Sequence, residues 1–376
     1  MTRQSILVMS FSTLVSDPRV LKQIDLLRED YDVTTCGYGP APDGVVGHHR
    51  IPDDRVYWRY PRALVIMRQF RRAYRTNPVV SWVRDHVRVG AYDIVLANDL
   101  DAVGIGLELQ PTRGLHADLH EFAPLQNTEL LRFRLFVAPF MRWQLRTFAS
   151  RAASTSTVGP SIARRYTKDF GFTPAVVMNA PPFVELEPQP VGDTIRLVHA
   201  GAALRNRRLE VLIDAVAALP QSQRPTLDLY LAPNDAGYLA ELTDRSADVE
   251  GVRVLAPVPF AELIPTLHRY DVGLHVLAPT NFNNTWALPN KFFEYVQARL
   301  GVVIGPSPEM VALLESRGFG AIAKDFGADA LAAVLAGLTR EEVVEWKQRS
   351  HAVAHELSAQ SQTQAWSDAI GKIAAK

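Results

Sequence analysis

An α/β protein built from two consecutive parallel-sheet domains is what this 376-residue sequence predicts, and three observations predict it. Short β-rich apolar runs alternate with helical periodicity from the beginning, an order that implies a parallel sheet covered by helices. The pattern then restarts after a Pro-rich stretch, "NAPPFVELEPQPVGD" (179–193), which has four prolines and no clear period. The length also exceeds what one hydrophobic core usually reaches, about 250–300 residues.

In the first half the runs are "SILVMSFS", a helix over 17–28, "YDVTTCGYG", "YDIVLAND" and "GLHADLH". In the second they are "TIRLVHAG", a helix near 207–218, "TLDLYLAP", "VRVLAPV" and "YDVGLHVLAP". The expected division is a first domain over 1–180, a linker over 181–193, a second domain over 194–358, and a terminal helix over 359–376 that returns to brace the first domain. Sheets of this kind bind ligands beyond the carboxyl ends of their strands, so the site is expected in a cleft between the domains.

The 40 basic residues balance the 40 acidic ones, which gives no sign of a nucleic-acid partner. One cysteine, Cys36, excludes an internal disulfide and fits a reducing compartment. No apolar run approaches the roughly 18–20 residues of a membrane span, and the run in "MTRQSILVMSFS" is too short for a signal peptide. The expected location is cytoplasmic.

The segment "ALPNKFFEYVQARLGVVI" (287–304) carries a helix opened by Pro289, whose missing N–H costs nothing at a first helical position. Asn290, Lys291 and Glu294 share one face, by their spacing of three and four. With Leu288 offering no capping oxygen, the first amides stay available to an anion. An exposed Lys291–Glu294 pair with a Phe-filled core explains the same spacing without function. In "VHAGAALRNRRLEVLIDA" (198–215) a strand ends at Gly201, and Arg205, Arg207 and Arg208 precede a helix. Cations there oppose the helix dipole and are favourable only with an anionic partner.

In the first half, "LANDLDAVGIGL" and "LHADLHEFAP" place Asn98 and Asp99, then Asp118, His120 and Glu121, at probable strand ends. Asp99 and Asp101 flank Leu100 where a strand runs into a helix and need not converge, so no metal site is expected. In "FSTLVSDPRVLKQIDLL", Asp17 and Pro18 are accounted for as helix cap and first helical residue, and Arg19 is left over.

The "PNK-FFEY-V-A-GVVI" series, with the other segments in order along nearly the whole chain, resembles the retaining, nucleotide-sugar-dependent glycosyltransferases of family 4. The resemblance implies the GT-B fold, two Rossmann-like domains facing a central cleft. It also implies a sugar passing from a UDP- or GDP-sugar to a hydroxyl of a glycan, glycolipid or small-molecule acceptor, with retention and without a metal or other cofactor. Glu294 would hold the donor ribose, while Gly201, Arg205, Arg207, Asn290 and Lys291 would face the diphosphate. His120, with Asp118 and Glu121, would stand at the transferred sugar, and Arg19, Asn98 and Asp99 on the acceptor side. Two positions depart from the family pattern: Ala202 stands where the diphosphate-binding segment usually has an Arg, a charge that Arg205 could supply, and Trp286 stands where a second Glu is usual, which bears on donor-sugar recognition. A sugar-nucleotide 2-epimerase of the same fold, or a donor-binding partner subunit without catalysis, are the other readings.

Between Arg55 and Arg88 nine arginines face one acid, Asp85, with six aromatic residues interleaved, and 131–151 adds five arginines and no acid. Such a region suits an anionic membrane surface or lipid-linked acceptor, or equally a helical hairpin with solvated arginines.

Overall fold

The computed structural model describes residues 3–376. Two compact units divide the chain: the first runs to Met178 and includes Asn281–Asn283 and Thr363–Lys376, and the second holds Asn179–Thr280 and Asn284–Gln362. The first contains β1 (Ser5–Thr13), β2 (Asp32–Tyr38), β3 (Gly47–Arg50), β4 (Ile94–Asn98), β5 (Gly114–Asp118), β6 (Ser154–Thr157) and β7 (Ala175–Val176), in the order β3-β2-β1-β4-β5-β6-β7. The second contains β8 (Arg196–Ala202), β9 (Thr226–Ala232), β10 (Val252–Leu255), β11 (Val272–His275), β12 (Gly301–Ile304) and β13 (Gly320–Ile322), in the order β10-β9-β8-β11-β12-β13. Every pairing in both sheets is parallel. Each sheet therefore reverses its winding once, between β1 and β4 and between β8 and β11, and ligands bind at such switch points in open α/β sheets.

The strands form where apolar runs can be covered on both faces. Ile6, Leu7, Val8 and Met9 of β1 and Ile94, Val95, Leu96 and Ala97 of β4 are fully buried. The first helix, Pro18–Leu27, is capped by Asp17, which accepts from the amides of Arg19 and Val20. The helix of 287–304 runs from Asn290 to Gln297, and Pro289 stands just ahead of it in extended conformation (ψ 149°) rather than as its first helical residue. Its β-region geometry forms the helix boundary, and no side chain caps the amides that follow.

The Pro-rich stretch is held to the second unit by buried Arg299, which donates to the carbonyls of Val184 (2.6 Å) and Leu186 (3.1 Å) and lies over the Phe183 ring. The C-terminal helix, Ala359–Ala374, joins the core of the first unit through Ile370 and Ile373, which pack with Ile6, Val8 and Ile24. Trp366, 1 % exposed, lies under the Arg19 guanidinium at 4.6 Å and donates to Ser156 Oγ at 3.1 Å. Trp366→Ala should therefore cost about 3–5 kcal/mol through the cavity alone. In a denaturant melt the transition of the first unit should move to lower concentration; an unmoved transition would show that the helix is not integral to that core.

Candidate active site

In the first unit a buried polar network lies at the carboxyl ends of β4, β5 and β6. Asp118, the last residue of β5, is fully buried and accepts from Arg19 Nε (2.7 Å) and Nη2 (2.8 Å), Gln23 Nε2 (2.8 Å) and Ser156 Oγ (2.8 Å). Burial alone raises a carboxyl pKa; the Arg19 and His120 charges and their hydrogen bonds outweigh it and hold Asp118 well below the usual range. Arg19 also donates to the Val177 carbonyl (3.0 Å), and Asn98 exchanges hydrogen bonds with Gln23 (2.8 and 2.9 Å). Arg19 and Asn98 are 2 % and 0 % exposed. They do not present side chains to an acceptor as the sequence suggested, because Asp118 and Gln23 have already taken up their polar groups. Their place is behind the site, where they orient it.

At the edge of this network His120 is flanked by two carboxylates: Nδ1 is 3.4 Å from Asp99 Oδ1 and Nε2 is 3.5 Å from Asp118 Oδ2. Asp99 is half-exposed, His120 about a quarter. Burial lowers the imidazole pKa, but Asp99 first and Asp118 second outweigh it, and the net displacement is upward. Both residues sit in the left-handed region, His120 at φ +48° and Asp99 at φ +62°. Non-glycine residues hold that geometry at a cost of about 1–3 kcal/mol, and such strain gathers where function fixes a side chain. The His120 carbonyl accepts from Thr157 Oγ1 and from the amide of Val158. Beside it, exposed Glu121 accepts from Asn283 Nδ2 (3.2 Å), while Asn283 Oδ1 accepts from the amide of Phe122 (3.1 Å). The sequence reading did not single out Asn283; its signal is the Asn-rich loop that leaves β11.

In the second unit the switch point lies between β8 and β11. The Lys291 side chain lies against the backbone of Gly201: a Cβ built there would come within 2.8 Å of Lys291 Cε and 3.1 Å of His199 Nε2, so a larger residue would displace the lysine. Lys291 is held at the front of the helix Asn290–Gln297, whose amides no side chain caps. Burial lowers its pKa first, Glu294 opposes that, and Arg207 adds to it. Beneath it are two buried histidines that the sequence reading missed. His199 bonds the Leu274 carbonyl through Nδ1 (2.9 Å), and burial with the charges of Lys291 and Arg207 brings its pKa down to about 4. His275, the last residue of β11, is held further below its usual value by burial and then by His199, Lys291 and Arg207. Its Nδ1 is buried without a hydrogen-bond partner. Four groups that carry or accept positive charge thus converge, with Glu294, 7 % exposed, on the same helix. The Arg205 side chain is committed elsewhere: exposed, it makes a bidentate pair with Glu241 (2.7 and 2.7 Å) and lies over Tyr238. Among the described residues no group of three or more His, Cys, Asp or Glu is placed to hold a metal ion.

No family model matches this chain and no curated protein matches it. Solved structures do. HepE from Anabaena in complex with UDP-glucose superimposes with a TM-score of 0.71 at 16% identity, over 98% of this chain and 100% of that one. The alpha,alpha-trehalose 6-phosphate synthase of Burkholderia multivorans gives 0.67 at 12% identity, over 100% and 99% of the two chains. Sucrose-phosphate synthase from Thermosynechococcus elongatus gives 0.67 at 12%, over 99% and 100%. The class is thereby fixed at the level of architecture: the chain has the GT-B fold, two parallel-sheet α/β units. At these identities the likeness is one of fold, and the chemistry is argued from the residues themselves.

Because His120 has a raised pKa when folded, its contribution to stability is complete below the unfolded value near ~6.5 and is lost as pH rises through the folded one. Asp99→Asn removes the larger of the two raising charges. The His120 titration followed by NMR should move to lower pH in that variant; an identical titration would show that Asp99 does not control this imidazole.

Proposed function

We propose that this protein is a glycosyltransferase that takes its sugar from a nucleoside diphosphate sugar, UDP or GDP in type, and passes it to an acceptor hydroxyl. The observation that carries the proposal is the cation cluster of the second unit. Lys291, at the uncapped start of the Asn290–Gln297 helix, lies with His199 against Gly201 beside the β8–β11 switch point, and exposed Arg207 is near enough to act on its charge. Supporting it, the HepE structure of the same fold holds UDP-glucose.

In this reading Glu294 bonds the ribose hydroxyls, and Lys291 and Arg207 face the diphosphate, with Asn290 at the helix start. The acceptor oxygen forms a bond to the anomeric carbon as the carbon–oxygen bond to the β-phosphate breaks. The acceptor proton passes to the departing phosphate oxygen, consistent with attack on the leaving-group face and retention. Negative charge grows on the diphosphate, and preorganised cations and amides stabilise such charge without reorganisation. No metal or other cofactor is invoked. The first unit supplies His120, held by Asp99 and Asp118, to the transferred sugar, and the acceptor binds on that unit. Arg205 serves the diphosphate only if its exposed pair with Glu241 opens, which costs little because such pairs are worth about 0–1 kcal/mol.

A panel of UDP-, GDP-, ADP- and dTDP-sugars in thermal shift should single out one nucleotide. Lys291→Met should change the melting temperature of the free protein little, since it removes a cation that burial and Arg207 disfavour but Glu294 favours. It should also weaken nucleoside diphosphate binding about 10- to 100-fold in calorimetry, the worth of a charge-assisted hydrogen bond. Glu294→Gln should weaken the nucleotide while leaving inorganic pyrophosphate unaffected. Undiminished affinity in both variants would move the donor away from this helix.

Turnover should survive EDTA. If chelation abolishes it and a divalent ion restores it, the charge on the leaving group is neutralised by metal. Release of free sugar from the donor without acceptor would mark an active transferase against a binder without catalysis, and a changed sugar on the nucleotide would mark an epimerase.

A further inference from the structure

We infer that the arginine-rich helical face of the first unit is a docking surface for an anionic lipid bilayer. This stands apart from the donor reading, since every residue it uses lies in the first unit.

The helix Arg62–Ile66 packs both on the helical turn Phe133–Val137 and on the next helix, Phe70–Arg75. Phe70 packs, with its ring tilted, against Phe140 and Trp143 of the helix Ala138–Thr147, so these elements make one layer. Ile66, Met67, Leu131 and Leu135 are 53, 57, 59 and 52 % exposed on it. Single exposed apolar residues are ordinary on a protein surface. These four lie on the two elements that pack together, and their exposure is not a product of looseness. The turn at Met67 and Arg68 is closed by the amide of Arg68 on the Val65 carbonyl (3.1 Å) and that of Gln69 on Leu64 (2.8 Å), with Arg68 at φ +56°. The chain builds an ordered tip and places apolar side chains on it.

Charge decides the occupant. Segments 55–75 and 130–138 hold nine arginines and no acid, with Asp54 and Glu129 flanking them in sequence. Arg62, Arg68, Arg71, Arg72, Arg75, Arg132 and Arg134 make no ion pair among the described residues. Within the segments Arg55 is paired, 4.0 Å from Asp54; nearby, Arg84 pairs with Glu108 and Arg142 with Asp169. Arg71 and Arg75 also line, with Arg151, Tyr74, Trp143 and the Arg84–Glu108 pair, an open groove of about 760 Å³ that keeps a positive excess suited to a phosphate headgroup. Apolar tips amid unpaired guanidinium groups fit a surface that is negative at the headgroups and apolar just below them. An acidic protein groove would match the charge but offers no planar apolar layer for residues spread over separate turns. No helix of the described residues is long and apolar enough to cross a membrane, so contact through this face is peripheral.

The experiment is co-sedimentation of the full chain, without substrate, with phosphatidylglycerol–phosphatidylcholine vesicles and with phosphatidylcholine alone, at low and high salt. Binding is expected to the anionic vesicles only, and to fall at least about tenfold when salt shortens the screening length. Arg68, Arg71, Arg72 and Arg75 changed together to Ser should abolish it. Ile66, Met67, Leu131 and Leu135 changed together to Ser should also weaken it at low salt. All eight side chains are exposed on the surface, so melting temperature should be kept, which verifies folding. Absence of binding at low salt overturns the inference. So does retention of the apolar variant, or equal capture by soluble heparin, which would mark a polyanion site in place of a membrane.

Discussion

The first unit is organised around the buried contact between Arg19 and Asp118. These residues are 99 positions apart, and in a low-dielectric interior neither charge is tolerable alone. Their pairing sets the first helix against the end of β5. An Nη1 proton of the guanidinium reaches Val177 beyond β7, the flat face of the group covers Trp366 of the C-terminal helix, and the free carboxylate lone pairs are filled by Gln23 and Ser156. A well-packed apolar replacement would often be as stable. What it would not supply is a fixed negative charge 3.5 Å behind His120. With Asp99 on the other side, that charge shifts the imidazole pKa upward against the effect of burial. Two adjoining left-handed residues are the conformational cost of bringing both carboxylates to one ring.

Much of this arrangement is visible in the sequence where local physics is sufficient. Buried parallel strands read as apolar runs, so β1, β2, β4, β5 and β8–β12 announce themselves. "GHHR" at β3 and "STST" at β6 do not, because polar side chains in those strands are satisfied across the sheet: His116 lies between Ser154 and Ser156. Gly201, Lys291 and Glu294 are legible through their turn and helix spacings, since each acts within a few residues of its neighbours. Long-range partners are not. Arg205 looks like a phosphate ligand until Glu241, 36 residues on, is placed beside it. Arg19 looks available until Asp118 is. His199 and His275 are invisible for the opposite reason: within apolar strands a histidine reads as core, and only the meeting of β8 with β11 brings both under Lys291.

The protein's arginines and lysines are thus used in two ways that physics keeps distinct. Arg19 and Arg299 are buried and fully engaged, one by a carboxylate and the other by backbone carbonyls, and they act as braces. Lys291 and Arg207 are different: Lys291 has Glu294 and Arg207 for company, and the two histidines beside it are kept neutral first by burial and then by those cations. If His199 and His275 were protonated, the pocket would hold up to four like charges and the fold would resist it. By staying neutral they bear two fixed cations and keep ring nitrogens that can still donate to or accept from a ligand. In the reading proposed above, a dianionic diphosphate offsets the like charge of Lys291 and Arg207.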